Sequence, residues 1–169
     1  MTEAEWLAIT DPWPVLESLR GNSSERKLRL FVVACCYRVW QWMSDARSRA
    51  GIETAERYAE GLVGEGELEG ARKGTEGAGA SVMGMGWHIY LSARAAHFSV
   101  EQRAAVFVRA AHEVVNAHWN HAQDTFSCSG SSAPAVEAKH QERSHQVAFL
   151  RDIFGNPCRP VAVGPSWLS

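Results

Sequence analysis

The sequence has no long apolar run, no excess of basic residues and no CxxC motif. Its longest unbroken apolar run is the eight residues of Leu30–Tyr37, whereas roughly 20 are needed to cross a bilayer. The 17 basic and 19 acidic residues nearly balance, so no overall charge attracts nucleic acid or an anionic membrane. The amino-terminal MTEAEWLAITDP is acidic and lacks the basic and apolar regions of a secretory signal. We therefore expect a soluble, cytoplasmic protein without a membrane partner.

The four cysteines are Cys35, Cys36, Cys128 and Cys158, and none belongs to a CxxC motif. Such closely spaced pairs are typical of thiolate metal sites, so their absence argues against one. Cys35 and Cys36 are neighbours on a predicted helix, where their side chains diverge by about 100° and cannot form a disulfide without breaking it. We interpret them as small core residues of a reduced protein, and Cys128 as the cysteine most open to oxidation.

What the sequence does contain is an apolar helix pattern in residues 24–43. Ser23 or Ser24 is suited to cap this helix at its start. One face is formed by apolar residues at helical spacing, namely Leu28, Phe31, Val32, Cys35, Val39, Trp42 and Met43. Further apolar residues cover much of the remaining surface. A helix that is apolar nearly all round must be enclosed by neighbours, so we expect it at the centre of the fold.

The rest of the chain also carries helix signals, and no run of period two predicts a strand. Residues 1–63 form a helical segment that contains the central helix, with a capping box at Thr2 and Glu5. Eight of the 23 residues in 64–86 are glycine, which predicts a flexible connector. Helices over 87–155 then pack on the first segment, and 156–169 form an extended tail that contains proline. The prediction is an all-α, irregular helical bundle around one buried helix.

Two of the seven histidines, His118 and His121, are three residues apart and can share a helix face. A divalent metal could bind there if a neighbouring helix supplied further ligands, as in other helical bundles. The sequence His112-Glu113-Val114-Val115-Asn116 departs from the HExxH zinc motif because its second histidine is replaced. No catalytic residue and no resident cofactor is predicted, and the structural alternative for both histidines is packing at the core boundary.

Tryptophans and a local basic segment suggest where partners could bind. Trp6, Trp13, Trp42 and Trp167 are the candidates for an interaction surface, because tryptophan is enriched at binding hot spots. Residues 20–49 contain seven basic side chains against two acidic ones, which is the feature that a nucleic-acid-binding module would use. Without overall basicity or a recognised motif, docking against an acidic helix of the same chain explains this segment better.

Three stretches resemble a family of planctomycete bacterial proteins for which we know no activity. They are TEAEW followed by DP at the amino terminus, KLRLF followed by CC, R and W in the central helix, and L-R-D-I-F-G-N-P-C-R-P-V near the end. Members of that family have an aromatic residue where this chain has Cys158, and they continue with a further helical segment. The resemblance implies a shortened, helical member of a bacterial family, without a mechanism.

The function that these features favour is a non-enzymatic helical module for protein–protein interaction or scaffolding, through a protein partner or self-association. Two alternatives stay open. The first is a metal-binding protein or metal-dependent enzyme that uses His118 and His121. The second is a nucleic-acid-binding module that uses residues 20–49, which the near-neutral charge disfavours.

Overall fold

The computed structural model of the chain describes residues 2–19, 23–78, 103–126 and 133–156. Those segments contain seven α-helices and no strand, which confirms the predicted all-α class. Several predictions concern residues outside the described ones: the part of the predicted 87–155 helices before residue 103, Cys128, Cys158, Trp167 and the tail beyond 156.

The helices are α1 (Glu3–Ala8), α2 (Pro12–Ser18), α3 (Glu25–Tyr37), α4 (Ala46–Ala59), α5 (Glu65–Ala78), α6 (Arg103–Phe126) and α7 (Ala133–Phe154). A single 3-10 turn, Trp40–Trp42, lies between α3 and α4. The long helices α6 and α7 pack closely on each other, and α2 packs on both of them. None of the helices in these segments is both long and apolar enough to cross a membrane.

Local capping signals define the starts of three helices. Thr2 and Glu5 form the predicted capping box, in which each side chain bonds the other residue's backbone N–H. The hydroxyl of Ser24 accepts from the backbone N–H of Lys27 at the start of α3. The carboxylate of Asp45 accepts from the N–H of Arg47 at the start of α4. Each bond satisfies a backbone donor that has no partner within the helix.

Helix α3 is the centre of the fold, as its composition predicts. It packs on α4 along one side and on α6 and α7 along the others. Phe31, Val32, Cys35 and Cys36 are completely buried. The chain's own helices therefore cover both apolar faces of α3, and the core extends from them to α1 and α2 through Trp6, Val15 and Leu16.

The prediction of one continuous helix over 24–43 is wrong at its carboxyl end. The helix stops at Tyr37, and the N–H of Arg38 bonds back to the carbonyls of Cys35 and Cys36. The chain then turns through the 3-10 segment before α4 begins. This break lets Arg38 and Trp42 leave the helix path and reach side chains of α6 and α7. Contacts with residues distant in sequence therefore outweigh the local apolar pattern, which by itself predicts a helix as far as Met43.

The first part of the predicted connector 64–86 is instead the helix α5. Its glycines each disfavour the helix by about 1 kcal/mol relative to alanine. Other contacts offset this effect, because Arg72 forms ion pairs with Glu69 and Glu76 one turn away on either side. Leu68 and Thr75 are also buried where α5 packs on α4.

Glycine has two distinct roles in the α4–α5 region. Gly61 has φ of +74° and follows α4 in a Schellman arrangement, in which Leu62 N–H bonds to the Arg57 carbonyl. Gly70 lies within α5, and a methyl group placed on it would meet no described atom within 4 Å. Gly61 is needed for its backbone conformation, whereas Gly70 has no such need within the described fold.

The two glycines predict opposite effects of alanine. Gly70→Ala should raise the free energy of unfolding by about 0.5–1 kcal/mol, because alanine is the better helix former and restricts the unfolded chain. Gly61→Ala should lower it by about 1 kcal/mol or more, because alanine disfavours positive φ. Urea unfolding of dilute protein measures both. Destabilisation by Gly70→Ala would show that α5 is covered in the folded monomer.

Candidate functional site

The two predicted metal-ligand candidates, His118 and His121, lie on α6 and both contact the ring of Trp42. The ring centroids are 4.8 Å apart for His118 and 4.3 Å apart for His121. Trp42 reaches them from the 3-10 turn that follows α3. The sequence therefore predicts correctly that the two histidines share a face of one helix. In the fold that face is covered by an aromatic ring.

The chemical centre of this region is Glu142 on α7, whose side chain is completely buried. Arg38 Nε donates to Oε2 of Glu142 over 3.1 Å, and Nε2 of His118 lies 3.1 Å from the same oxygen. Gln146, one turn along α7, donates from Nε2 to the carbonyl of Ala111 at 2.9 Å and contacts Oε1 of Glu142 at 3.4 Å. We call Arg38, His118, Glu142 and Gln146 the junction cluster, because it joins α3, α6 and α7.

Burial controls the charges in the junction cluster. It raises the pKa of Glu142 to about 7, because loss of water disfavours the carboxylate more than Arg38 and Gln146 stabilise it. Burial also lowers the pKa of His118 to about 4, and the nearby Arg38, His121 and His145 act in the same direction. Near neutral pH the imidazole of His118 is therefore uncharged.

Two buried polar atoms of the junction cluster have no hydrogen-bond partner among the described residues. They are Nε2 of His118 and Oε1 of Gln146. Although Nε2 of His118 lies 3.1 Å from Glu142, the direction of approach does not suit a bond donated by the ring N–H. An unsatisfied buried polar atom is destabilising and rare in folded proteins.

The junction cluster is not arranged as a metal centre in the described part of the chain. No group of three or more histidine, cysteine, aspartate or glutamate side chains there is placed to hold a metal ion. The imidazole of His118 faces a carboxylate and an aromatic ring. What the cluster can do chemically is hold or move a proton between an enclosed carboxyl group and an imidazole.

The cysteines of α3 lie in the core as free thiols, as the sequence predicts. Burial raises the pKa of Cys36 to about 12 and that of Cys35 well above its usual value. The negative charge of Glu142 adds to the effect on Cys35. Because the thiolate is the reactive form, neither cysteine is suited to nucleophilic or redox chemistry near neutral pH.

The tryptophans predicted as interaction residues lie mostly inside the fold. Trp6 is 4% exposed and belongs to the core, where it offers no surface to a partner. Trp13 is half-buried, with its ring centroid 5.8 Å from that of His112. Trp42 is half-buried against the histidines. Trp167 lies outside the described residues.

The basic residues of the 20–49 segment that the structure describes make contacts within the chain. The pairs are Arg26 with Glu60, Lys27 with the ring of Phe154, Arg29 with Glu25, Arg38 with Glu142, Arg47 with Asp45, and Arg49 with the ring of Trp40. A phosphate backbone would have to compete with these partners. Two of the contacts, Arg26 with Glu60 and Arg38 with Glu142, join this segment to acidic residues at the end of α4 and in α7.

Sequence reasoning did not identify Glu142, Gln146 or Arg38 as members of a site. A signal was present, because Ala135, Glu142, Gln146 and Leu150 recur at spacings of seven and four, which place them on one face of α7. All four are buried. A carboxylate and an amide on an otherwise apolar helix face indicate a buried polar cluster. The partners themselves come from residues about 24 to 104 positions away and are not visible in the local pattern.

Replacing Arg38 tests whether it stabilises the buried carboxylate. Arg38→Met should lower the free energy of unfolding by about 2 kcal/mol at pH 8, where Glu142 is ionised and loses a charged hydrogen bond. The loss should shrink at pH 5.5, where Glu142 is protonated. The matched control is Arg47→Met, which removes an exposed ion pair that water largely screens and should change stability little at either pH. Equal losses at the two pH values would contradict this role.

No family model matches the sequence, and the comparisons with curated proteins and with solved structures found no match. The resemblance to planctomycete proteins therefore stays a prediction, and the function must be argued from the residues of this chain alone.

Proposed function

We propose that the protein is a non-enzymatic helical module that acts through protein–protein association, with a second copy of the chain as its partner. The observation that carries this proposal is the outer face of α5, which none of the described helices covers. Among the described helices, only α4 has an extensive interface with α5. The side of α5 opposite its buried residues Leu68 and Thr75 has no described neighbour of its own.

The outer face of α5 consists of Gly66, Gly70 and Gly74, which follow one another at intervals of one helical turn. A methyl group on any of the three would meet no described atom within 4 Å. Alanine would therefore fit at each position and would favour the helix by about 1 kcal/mol. The described contacts do not explain why glycine occupies these three positions. We infer that glycine is needed there because it allows a second backbone to approach closely.

The charges along α5 favour a second copy packed in the antiparallel direction. Glu65 and Glu67 are exposed in the amino-terminal half, and Lys73 is exposed in the other half. The three glycines are symmetric about Gly70, so a twofold axis at Gly70 places Gly66 opposite Gly74 of the other copy. The same axis brings the acidic half of one helix beside Lys73 of the other. A twofold interface of this kind is self-complementary.

Leu62 is an exposed apolar residue close in sequence to the start of α5, and we infer that it joins the same interface. It lies in the turn between α4 and α5, and 69% of its surface is exposed. The neighbouring Val63 is buried, so the turn itself is packed against the protein and holds Leu62 outward. Burial of one leucine side chain contributes roughly 1.5–3 kcal/mol, enough to strengthen an interface built on small residues.

A bulky charge at Gly70 tests the proposal. Gly70→Lys should leave the monomer folded, because a side chain added there meets no described atom within 4 Å at its first carbon, but should weaken self-association at least tenfold. The matched control is Ala50→Lys, which places the same side chain on an exposed position of α4 and should associate like the wild type. Sedimentation equilibrium and circular dichroism measure association and folding.

Two outcomes would contradict the proposal. A wild-type protein that stays monomeric at concentrations of hundreds of micromolar would exclude self-association as the function. Unfolding of Gly70→Lys with an intact control would mean that the outer face of α5 is covered inside the monomer. Stoichiometric metal in untagged protein would instead favour the metal-binding alternative at His118 and His121.

A further inference from the structure

The contact between Glu142 and His118 can hold one proton in two ways. Oε2 of Glu142 and Nε2 of His118 are 3.1 Å apart, and the side chains are 0% and 15% exposed. One arrangement is a carboxylate beside an imidazolium ion. The other is a carboxylic acid beside a neutral imidazole. Both carry the same total charge, but the first separates two charges in a site that water barely reaches.

Titratable and polar groups from three helices face this pair. Arg38 and the uncharged thiol of Cys35 approach from α3. His121 lies one turn from His118 on α6, and α7 supplies His145 and Gln146. Arg38 is the permanent cation of this set, and its positive charge disfavours a second cation on His118. Its side chain is 34% exposed, so water screens part of its attraction for the Glu142 carboxylate.

Hydrogen-bond geometry also disfavours the charged arrangement. The N–H bond of an imidazole is fixed in the plane of the ring, and in this orientation it does not make a hydrogen bond to Glu142. An imidazolium ion would therefore be a buried cation without a hydrogen bond at Nε2, which costs more than burying a neutral ring nitrogen. The neutral arrangement avoids this cost.

We propose that Glu142 and His118 form a neutral pair in the folded protein, in which the carboxyl group of Glu142 carries the proton and the imidazole of His118 is uncharged. In the unfolded chain near pH 5.5 the proton resides on the imidazole and the carboxyl group is ionised. Folding then moves one proton from nitrogen to oxygen, and the pair neither gains nor loses a proton overall. The contribution of this pair to the free energy of unfolding therefore does not change with pH over this range.

The directions of the two pKa changes give the same result. The pKa of Glu142 rises from 4.5 to about 7 on folding, so this group alone makes stability fall as pH rises between those values. The pKa of His118 falls from 6.5 to about 4, so this group alone makes stability rise with pH over nearly the same range. The two slopes have opposite signs and nearly cancel while both residues are present.

Single substitutions should expose each slope separately. Glu142→Gln should become less stable as pH falls from 6.5 to 4, with an unfolding constant that rises on the order of 100-fold. His118→Gln should become less stable by a similar factor as pH rises from 4.5 to 7. The control is the double variant with both substitutions, which reports every other titrating group. The wild-type profile should run parallel to that of the double variant in urea unfolding.

Spectroscopy on the wild-type protein tests the pair without relying on a variant that folds. At pH 6 the nitrogen chemical shifts of His118 should be those of a neutral ring. The infrared spectrum should contain the carbonyl band of a protonated carboxyl group, and this band should be absent from Glu142→Gln. An imidazolium signal for His118, or an ionised Glu142 at pH 6, would overturn the proposal. Parallel pH profiles for the wild type and both single variants would also overturn it.

Discussion

The burial of Glu142 is the constraint on which the arrangement of the long helices depends. A carboxyl group without access to water must find partners in the protein, because burying it alone would destabilise the fold by several kcal/mol. Arg38 comes from the end of α3, His118 from α6 and Gln146 from α7 itself. These directional contacts fix how the three helices meet, whereas apolar packing alone tolerates many similar arrangements.

The same constraint explains the two irregular features near the end of α3. The helix stops at Tyr37 although the apolar sequence continues to Met43, and the chain turns so that Arg38 faces Glu142. The 3-10 turn then brings Trp42 over His118 and His121. Trp42 limits the access of water to the imidazoles, which contributes to the low pKa of His118. The histidines that the sequence suggests as metal ligands, His118 and His121, are thereby enclosed within the fold. The proposed function is instead based on the outer face of α5.

Local physical chemistry was sufficient to predict much of this fold. The all-α class, the buried position of α3 and the caps at Thr2 and Ser24 all follow from patterns within a few residues. The helix α5 was missed because the number of glycines outweighed its ion pairs and its packing on α4. The junction cluster was missed because Arg38 and Glu142 are 104 positions apart. Only the partners explain why a carboxylate lies on the apolar face of α7.

Cross-linking at Gly70 tests the proposed association most directly. If a twofold axis passes beside this residue, cysteines in Gly70→Cys face each other within the distance of 4.4–6.8 Å between Cα atoms that a disulfide requires. Mild oxidation of this variant should give a covalent dimer, and peptide mass mapping should identify a bond between the two copies of position 70. Ala50→Cys, on an exposed position of α4, should remain largely monomeric under the same conditions. Equal cross-linking of the two variants, or none at position 70, would contradict the account.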